Sequence, residues 1–306
     1  MDIAVANVYT CDEMDQFDYF KSVGFDAVDM TLNPYFNRGG KFEYNIDYVT
    51  EDEVKEHFTA LRKRAEQAGV YVCQTHGTFG GHPGNYNFDY DEIYKRLCWS
   101  IKATHYLGCK QIVIHPIILP GRRHDLLKDY NFNRAVEFYR MLEPTLEKYD
   151  VICCLENMFV SDKTYKHICS TVLSRAEEMV EMCNVLGDRY KICYDVGHAL
   201  VTQDDPIKYV YTCGDKLIGL HAHGNDGYND LHDLPFMRYH KIPGTEPTTI
   251  DWHEFMRALK DIGYKGTLDF EIGPCGPDEV KPASHRYLAK IGRYLADVFE
   301  NHEPRK

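Results

Sequence analysis

Short apolar runs of β-type residues alternate with helical stretches along this chain, and the alternation repeats eight times. The runs are DIAVANV, FDAVDMTL, VYVCQT, CKQIVI, VICCLE, KICYD, KLIGLH and GTLDFE. Each is followed by a helix-type segment, such as STVLSRAEEMVEMCNVLG after the fifth and HRYLAKIGRYLADVFE after the last. A continuous apolar run bounded by helical pattern reads as a parallel strand buried on both faces. Eight strand–helix units in 306 residues predict an α/β fold, a (β/α)8 TIM barrel forming one domain over residues 1–306. The competing doubly wound sheet wants a glycine-rich turn after its first strand, and NVYTCDEMD has none.

Local signals agree with this frame. Thr50 with Glu53 makes a capping box for the helix EDEVKEHFTALRKRAEQAG, and Gly24 suits the C-cap of the first helix. Segments 31–50, 77–88 and 116–131 are rich in Tyr, Phe, Asn and Gly, and read as loops over a site.

Composition narrows the function classes. With 35 basic and 47 acidic residues the formal net charge is −12, whereas a protein gripping a nucleic-acid backbone needs basic patches. The densest basic stretches are RKRAEQAG, a helix face, and PGRRHD, a loop whose Arg122 and Arg123 either meet a phosphate or stay solvated. An acidic surface therefore favours a small-molecule ligand over nucleic acid. No run approaches the roughly eighteen apolar residues of a membrane span. The N-terminus lacks the basic region of a secretory signal, so a cytoplasmic location is expected. The 11 cysteines are odd in number, form no CxxC and fall partly inside strand runs, as reduced core residues do.

The chemistry-bearing residues follow from the strand pattern. His76, His115, Glu156, Asp195, His221 and Glu271 stand at the tails of six runs. In parallel α/β folds that end of each strand faces the reaction site. Glu156, Asp195, His221 and Glu271 come from four consecutive runs and should converge on one side of a barrel mouth. Three carboxylates and one imidazole form a mostly hard set, suited to Mn²⁺, Co²⁺ or Mg²⁺ and tolerable for Zn²⁺. His198, three residues past Asp195, is expected on the loop above this centre. His76 and His115 should occupy the adjacent arc, and HAHGNDGYNDLHDLPF supplies His223, Asp226, Asp230, His232 and Asp233. His82 and His223 have no partner by spacing and read as solvated loop histidines.

LEN at 155–157, YDVGH at 194–198, HAHGNDGYNDLHDLP at 221–235, IDW at 250–252 and GYKGTLDFEI at 263–272 resemble the sugar isomerase/epimerase branch of the xylose isomerase-like barrel superfamily. The resemblance implies that Glu156, Asp195, His221 and Glu271 ligate one divalent ion, commonly Mn²⁺, with no organic cofactor. It implies that Glu156 and Glu271 also serve as a proton-transfer pair on opposite faces of the substrate, and that His198 bonds a substrate oxygen. His76, His115, Asp230 and His232 are expected on the substrate side of the centre. A divalent ion bridging a carbonyl and the neighbouring hydroxyl acidifies the C–H between them and stabilises an enediolate. A carboxylate on each face can then take and return the proton.

The expected activity is isomerisation or epimerisation of a sugar, sugar phosphate or cyclitol ketone. The alternative is a lyase or dehydratase on a keto-polyol or keto-glycoside, since the same enediolate can expel a β-leaving group. Gly227 departs from the ketose 3-epimerases, which carry an arginine there. A more distant reading also exists. His76, His115, Glu156, Asp195, His198, His221, Asp230, His232 and Glu271 match in order the apurinic endonucleases, which hold three zinc ions; the acidic charge argues against that partner. The resemblance further implies self-association of the chain.

Overall fold

In the computed structural model, residues 1–306 are described except 8–15, 80–89, 119–123, 163–166, 238–249 and 306. His82, Arg122 and Arg123 lie outside the described residues.

The chain runs β1 (Ile3–Ala6), α1 (Gln16–Val23), β2 (Ala27–Thr31), α2 (Asn33–Phe36), α3 (Glu51–Ala68), β3 (Tyr71–His76), α4 (Tyr90–Tyr106), β4 (Gln111–Ile114) and α5 (Lys128–Tyr149). It continues through β5 (Ile152–Glu156), β6 (Phe159–Asp162), β7 (His167–Ser170), α6 (Ala176–Leu186), β8 (Tyr190–Asp195), α7 (Val196–Val201) and α8 (Pro206–Cys213). The last elements are β9 (Leu217–His221), α9 (Trp252–Asp261), β10 (Leu268–Phe270) and α10 (Lys281–Glu300).

Eight strands form one sheet in the order β10-β1-β2-β3-β4-β5-β8-β9, and each neighbouring pair is parallel. The open seam between β9 and β10 is closed at the top, where the Ala222 N–H donates to the Asp269 carbonyl at 2.7 Å. The eight expected strands thus make a nearly closed (β/α)8 barrel, the fifth to eighth being β5, β8, β9 and β10.

The capping box at Thr50 is present, and α3 ends on Gly69 in the left-handed conformation (φ 76°). Gly24 ends α1 at φ 110°. Between the strands and the outer helices lies an apolar layer including Phe17, Phe20, Phe58, Tyr139, Tyr190 and Phe255. Val113, Cys154 and Cys193 form a separate small cluster. The described cysteines are all free thiols; Cys109, Cys153, Cys154, Cys183, Cys193 and Cys213 are buried core residues, whereas Cys275 is exposed.

Two local features depart from the sequence reading. The segment after β5 forms an antiparallel hairpin, β6–β7, so the helix expected from residue 170 starts only at Ala176. Asp195 passes directly into α7 as its N-cap, its side chain accepting from the His198 N–H at 2.7 Å. His198 therefore sits in the first turn of a buried helix, not on a loop. Among the described residues no helix is long and apolar enough to cross a membrane.

Candidate metal centre and active site

Parallel strands present their last inward side chains at one rim, and that is where the acids and imidazoles gather. His76, Glu156, Asp195 and His221 are the final residues of β3, β5, β8 and β9, while His115 and Glu271 follow β4 and β10 by one residue. Glu156, Asp195, His221 and Glu271 bring donor atoms within 4.8 Å of one another. His221 Nδ1 lies 3.1 Å from Glu156 Oε1 and 3.6 Å from Glu271 Oε2. Ligands of one ion bound at about 2.0–2.2 Å sit roughly 3 to 4.4 Å apart, so this set fits a divalent cation.

The remaining expected residues flank this group. Glu156 Oε2 faces His115 Nε2 at 2.9 Å and His76 Nε2 at 3.2 Å. On the other side Asp230 Oδ2 lies 3.1 Å from His232 Nε2 and 3.5 Å from His198 Nε2. Asp230 and His232 reach the site because loop 224–233 folds back on itself, Gly224 and Asp233 exchanging backbone hydrogen bonds at 2.8 Å.

Three rings are held in one tautomer by the backbone. The Nδ1–H groups of His76, His198 and His232 donate to the carbonyls of Gly77 (3.0 Å), Asn157 (2.8 Å) and Glu271 (2.7 Å). Each is left with Nε2 aimed at a carboxylate, the arrangement that orients metal-ligating histidines.

The motif residues have structural explanations. Asn157 of LEN ties β5 to β8 by two bonds, accepting from the Asp195 N–H at 2.7 Å and donating to the Asp195 carbonyl at 2.8 Å. Gly197 of YDVGH is small because a Cβ there would lie 2.1 Å from His223 Cε1. Asn225 donates to the Gly197 carbonyl at 2.8 Å and locks the β9 loop onto α7.

Electrostatics bind the array together. Burial alone would raise Glu156, yet the His221 and His115 charges and hydrogen bonds hold it well below the usual carboxylate range. Burial likewise opposes Asp195 ionisation, and His198 and His223 overcome it, so its value is lowered. Against burial, hydrogen bonds from His198 and His232 push Asp230 far down. Burial depresses His232, but Asp230 and Glu271 raise it to about 9. Burial lowers His115 outright, whereas Glu156 lifts His76 above its ordinary value against the same penalty.

His223 contradicts its expectation as a solvated loop residue. It is fully buried, its Nε2 lies 3.1 Å from Asp195 Oδ2, and its ring stacks on His232 at 3.9 Å. The HAH alternation carried the signal, because residues 221 and 223 share one face of an extended segment. Asp29, Gln74 and Asp269 were not singled out by the sequence either, and all three lie buried directly beneath the centre. Burial, and then the adjacent Asp29 carboxylate, push Asp269 well above the carboxylate range.

Known proteins share this frame. A 23% identical relative, an uncharacterised protein of Methanocaldococcus jannaschii, aligns over 84% of this chain and 82% of its own length. An uncharacterised protein of Sinorhizobium fredii is 28% identical over 54% of this chain; the chain spans about half of that relative, 48%. Solved structures superpose on nearly the whole chain at low identity, which speaks for the fold alone. A D-tagatose 3-epimerase-like protein matches with TM-score 0.71 and 18% identity over 98% of both chains. A D-psicose 3-epimerase matches with TM-score 0.68 and 16% identity over 96% of this chain and 99% of its own. The IOLI protein with a bound zinc atom matches with TM-score 0.65 and 15% identity over 100% of each chain. The family model described as xylose isomerase-like TIM barrel matches residues 17–291, the stretch that supplies every strand-end residue of the rim, and the chain belongs to that family.

Proposed function

We propose that this chain is a divalent-metal-dependent isomerase or epimerase of a sugar, sugar phosphate or cyclitol ketone. The carrying observation is the convergence of Glu156, Asp195, His221 and Glu271 within 4.8 Å at adjacent strand ends. When bound there, a divalent ion, Mn²⁺ in our reading, supplies Lewis-acid stabilisation of the oxyanion that develops as a neighbouring C–H loses its proton. Structural neighbours that include sugar epimerases support a carbohydrate-like substrate.

The residues divide the work. Glu271 and Glu156 come from opposite sides of His221 and take and return the proton. Glu271 keeps more exposure, with side-chain accessibility of 14% against 2% for Glu156, so it is the freer of the two. His198, His76, His115, Asp230 and His232 border the space above and orient substrate oxygens. Phe79 packs its ring on His76 and His115 at 4.9 and 5.0 Å, and with Ala6, Thr31 and Glu271 borders a small cleft beside the centre, where it offers an apolar face to a substrate. Elimination of a β-substituent from the same carbanion is the neighbouring chemistry, differing only in where a leaving group sits.

A second reading has its own observation. His76 and His115 share one Glu156 oxygen, and His198 and His232 both face Asp230 through Nε2, His198 lying beside Asp195 as well. That array suits up to three zinc ions and phosphodiester hydrolysis of the apurinic endonuclease kind. Metal analysis separates the two. One ion per chain, lost in Asp195→Asn without unfolding, supports the isomerase; three ions with cleavage of an abasic oligonucleotide support the phosphodiesterase.

A further inference from the structure

The rim rests on a polar floor inside the barrel. Gln74, Gly219 and Asp269 each precede a rim residue by two (His76, His221 and Glu271), which puts them one inward-facing layer lower on β3, β9 and β10. The β2–β3 register shifts between Val28 and Asp29, so Asp29 pairs with Gln74 and not with Cys73. A bulge of this kind re-aims a side chain, and here it brings Asp29 under His221.

Asp29 is 1% exposed and His221 fully buried, and the His221 Nε2–H donates to Asp29 Oδ2 at 3.0 Å. The same oxygen accepts from Gln74 Nε2 at 2.9 Å. Gln74 is itself pinned, donating to Asp269 Oδ2 at 2.8 Å and accepting from Gln111 Nε2 at 3.3 Å. Gly219 leaves room for this amide, since a Cβ there would sit 2.8 Å from Gln74 Oε1. The carboxylate therefore has little freedom to move, and neither has the imidazole above it.

From this geometry we infer that Asp29 is a positioning residue for the metal centre. It keeps a proton on His221 Nε2, so that the neutral ring, once Nδ1 has lost its proton, offers that nitrogen's lone pair on the side of Glu156 and Glu271. A carboxylate behind a ligating imidazole also raises the ring's donor strength, and loss of such a partner lowers metal affinity by roughly ten- to a hundred-fold. This rests on the proposed role of His221 as a ligand. A purely structural floor would hold the barrel together without setting the ring's tautomer or the metal affinity.

The test uses the full chain. Nitrogen-15 spectra of the metal-free wild type should show His221 protonated on Nε2. Mn²⁺ titration should then give affinities in the order wild type, Asp29→Asn, Asp29→Ala, with the alanine variant weaker by roughly ten- to a hundred-fold. The asparagine variant keeps an acceptor and should recover part of the loss. Circular dichroism and a thermal melt establish that each variant is folded. Wild-type His221 lacking a proton on Nε2, or a folded Asp29→Ala with wild-type Mn²⁺ affinity, would overturn the role of Asp29. A variant that failed to fold leaves the wild-type tautomer measurement decisive. A wild-type chain that bound no Mn²⁺ would instead remove the metal reading itself.

Discussion

Replacing Gly197 by alanine tests how closely the second arc of the site is packed. The added methyl would lie 2.1 Å from His223 Cε1, 2.6 Å from Nδ1 and 2.7 Å from Nε2. His223 has no free end to swing away, being fully buried between Asp195 and the His232 ring. It must rotate, forfeiting a charged hydrogen bond of about 1.5–3 kcal/mol and a ring stack of about 0.5–1.5 kcal/mol. Alanine regains at most about 1 kcal/mol of helix propensity in α7. The net cost is about 1–4.5 kcal/mol, read as a melting point lowered by roughly 2–4 °C per kcal/mol. Thermal melts of Gly197→Ala, His223→Ala and the double variant measure it. In the His223→Ala background the methyl has nothing to strike, so the cost of Gly197→Ala should largely vanish. An equal cost in both backgrounds, or none in either, would refute the packing argument.

Two further outcomes follow from the site's electrostatics and geometry. His198→Ala should cut turnover far more than metal content, because its Nε2 faces Asp230 at 3.5 Å and it stands outside the Glu156, Asp195, His221 and Glu271 set; loss of all metal in this variant would favour the three-metal reading. Mn²⁺ affinity should rise with pH above the ordinary imidazole range. Burial lowers His221, but Cys193, Glu156 and Glu271 more than reverse it and hold the ring well above its usual value; the Cys193 thiol, at about 12, is neutral, so the carboxylates carry the effect. A proton must leave Nδ1 before metal binds, whereas Glu156 and Asp195 are held low and stay ionised. The expected slope approaches about tenfold per pH unit from the ordinary imidazole range upward, followed by calorimetry; a flat profile would contradict it.

The barrel was legible because parallel strands covered on both faces must be continuously apolar, and eight such runs leave little else to build. The rim was legible for a related reason: a lone acid or imidazole ending an apolar run has few places to go except the strand terminus. What lay below and beside the rim was harder to read. Asp29 inside FDAVDMTL and Asp269 inside GTLDF look like interruptions of a strand, and only the barrel interior gives them partners. His223 was misread because its partners, Asp195 and His232, are distant or off-period in sequence and meet it only when loop 224–233 folds back. The glycine of YDVGH signalled a turn less than a shortage of space, which no local pattern reveals. The β6–β7 hairpin was missed because its two strands, FVSD and HICS, are four residues each and mostly lack alternation.

The most direct measurement of the proposed chemistry is proton exchange in heavy water. Metal-loaded protein, incubated with ketoses, ketose phosphates and inososes, should introduce deuterium at the carbon next to the carbonyl of an active substrate. Glu156→Gln and Glu271→Gln should each abolish interconversion. A variant that keeps its metal can still exchange on the face served by the remaining glutamate. If none of these ketones took up deuterium while an abasic oligonucleotide was cut, proton transfer by the two glutamates would be wrong and the phosphodiesterase reading would stand in its place.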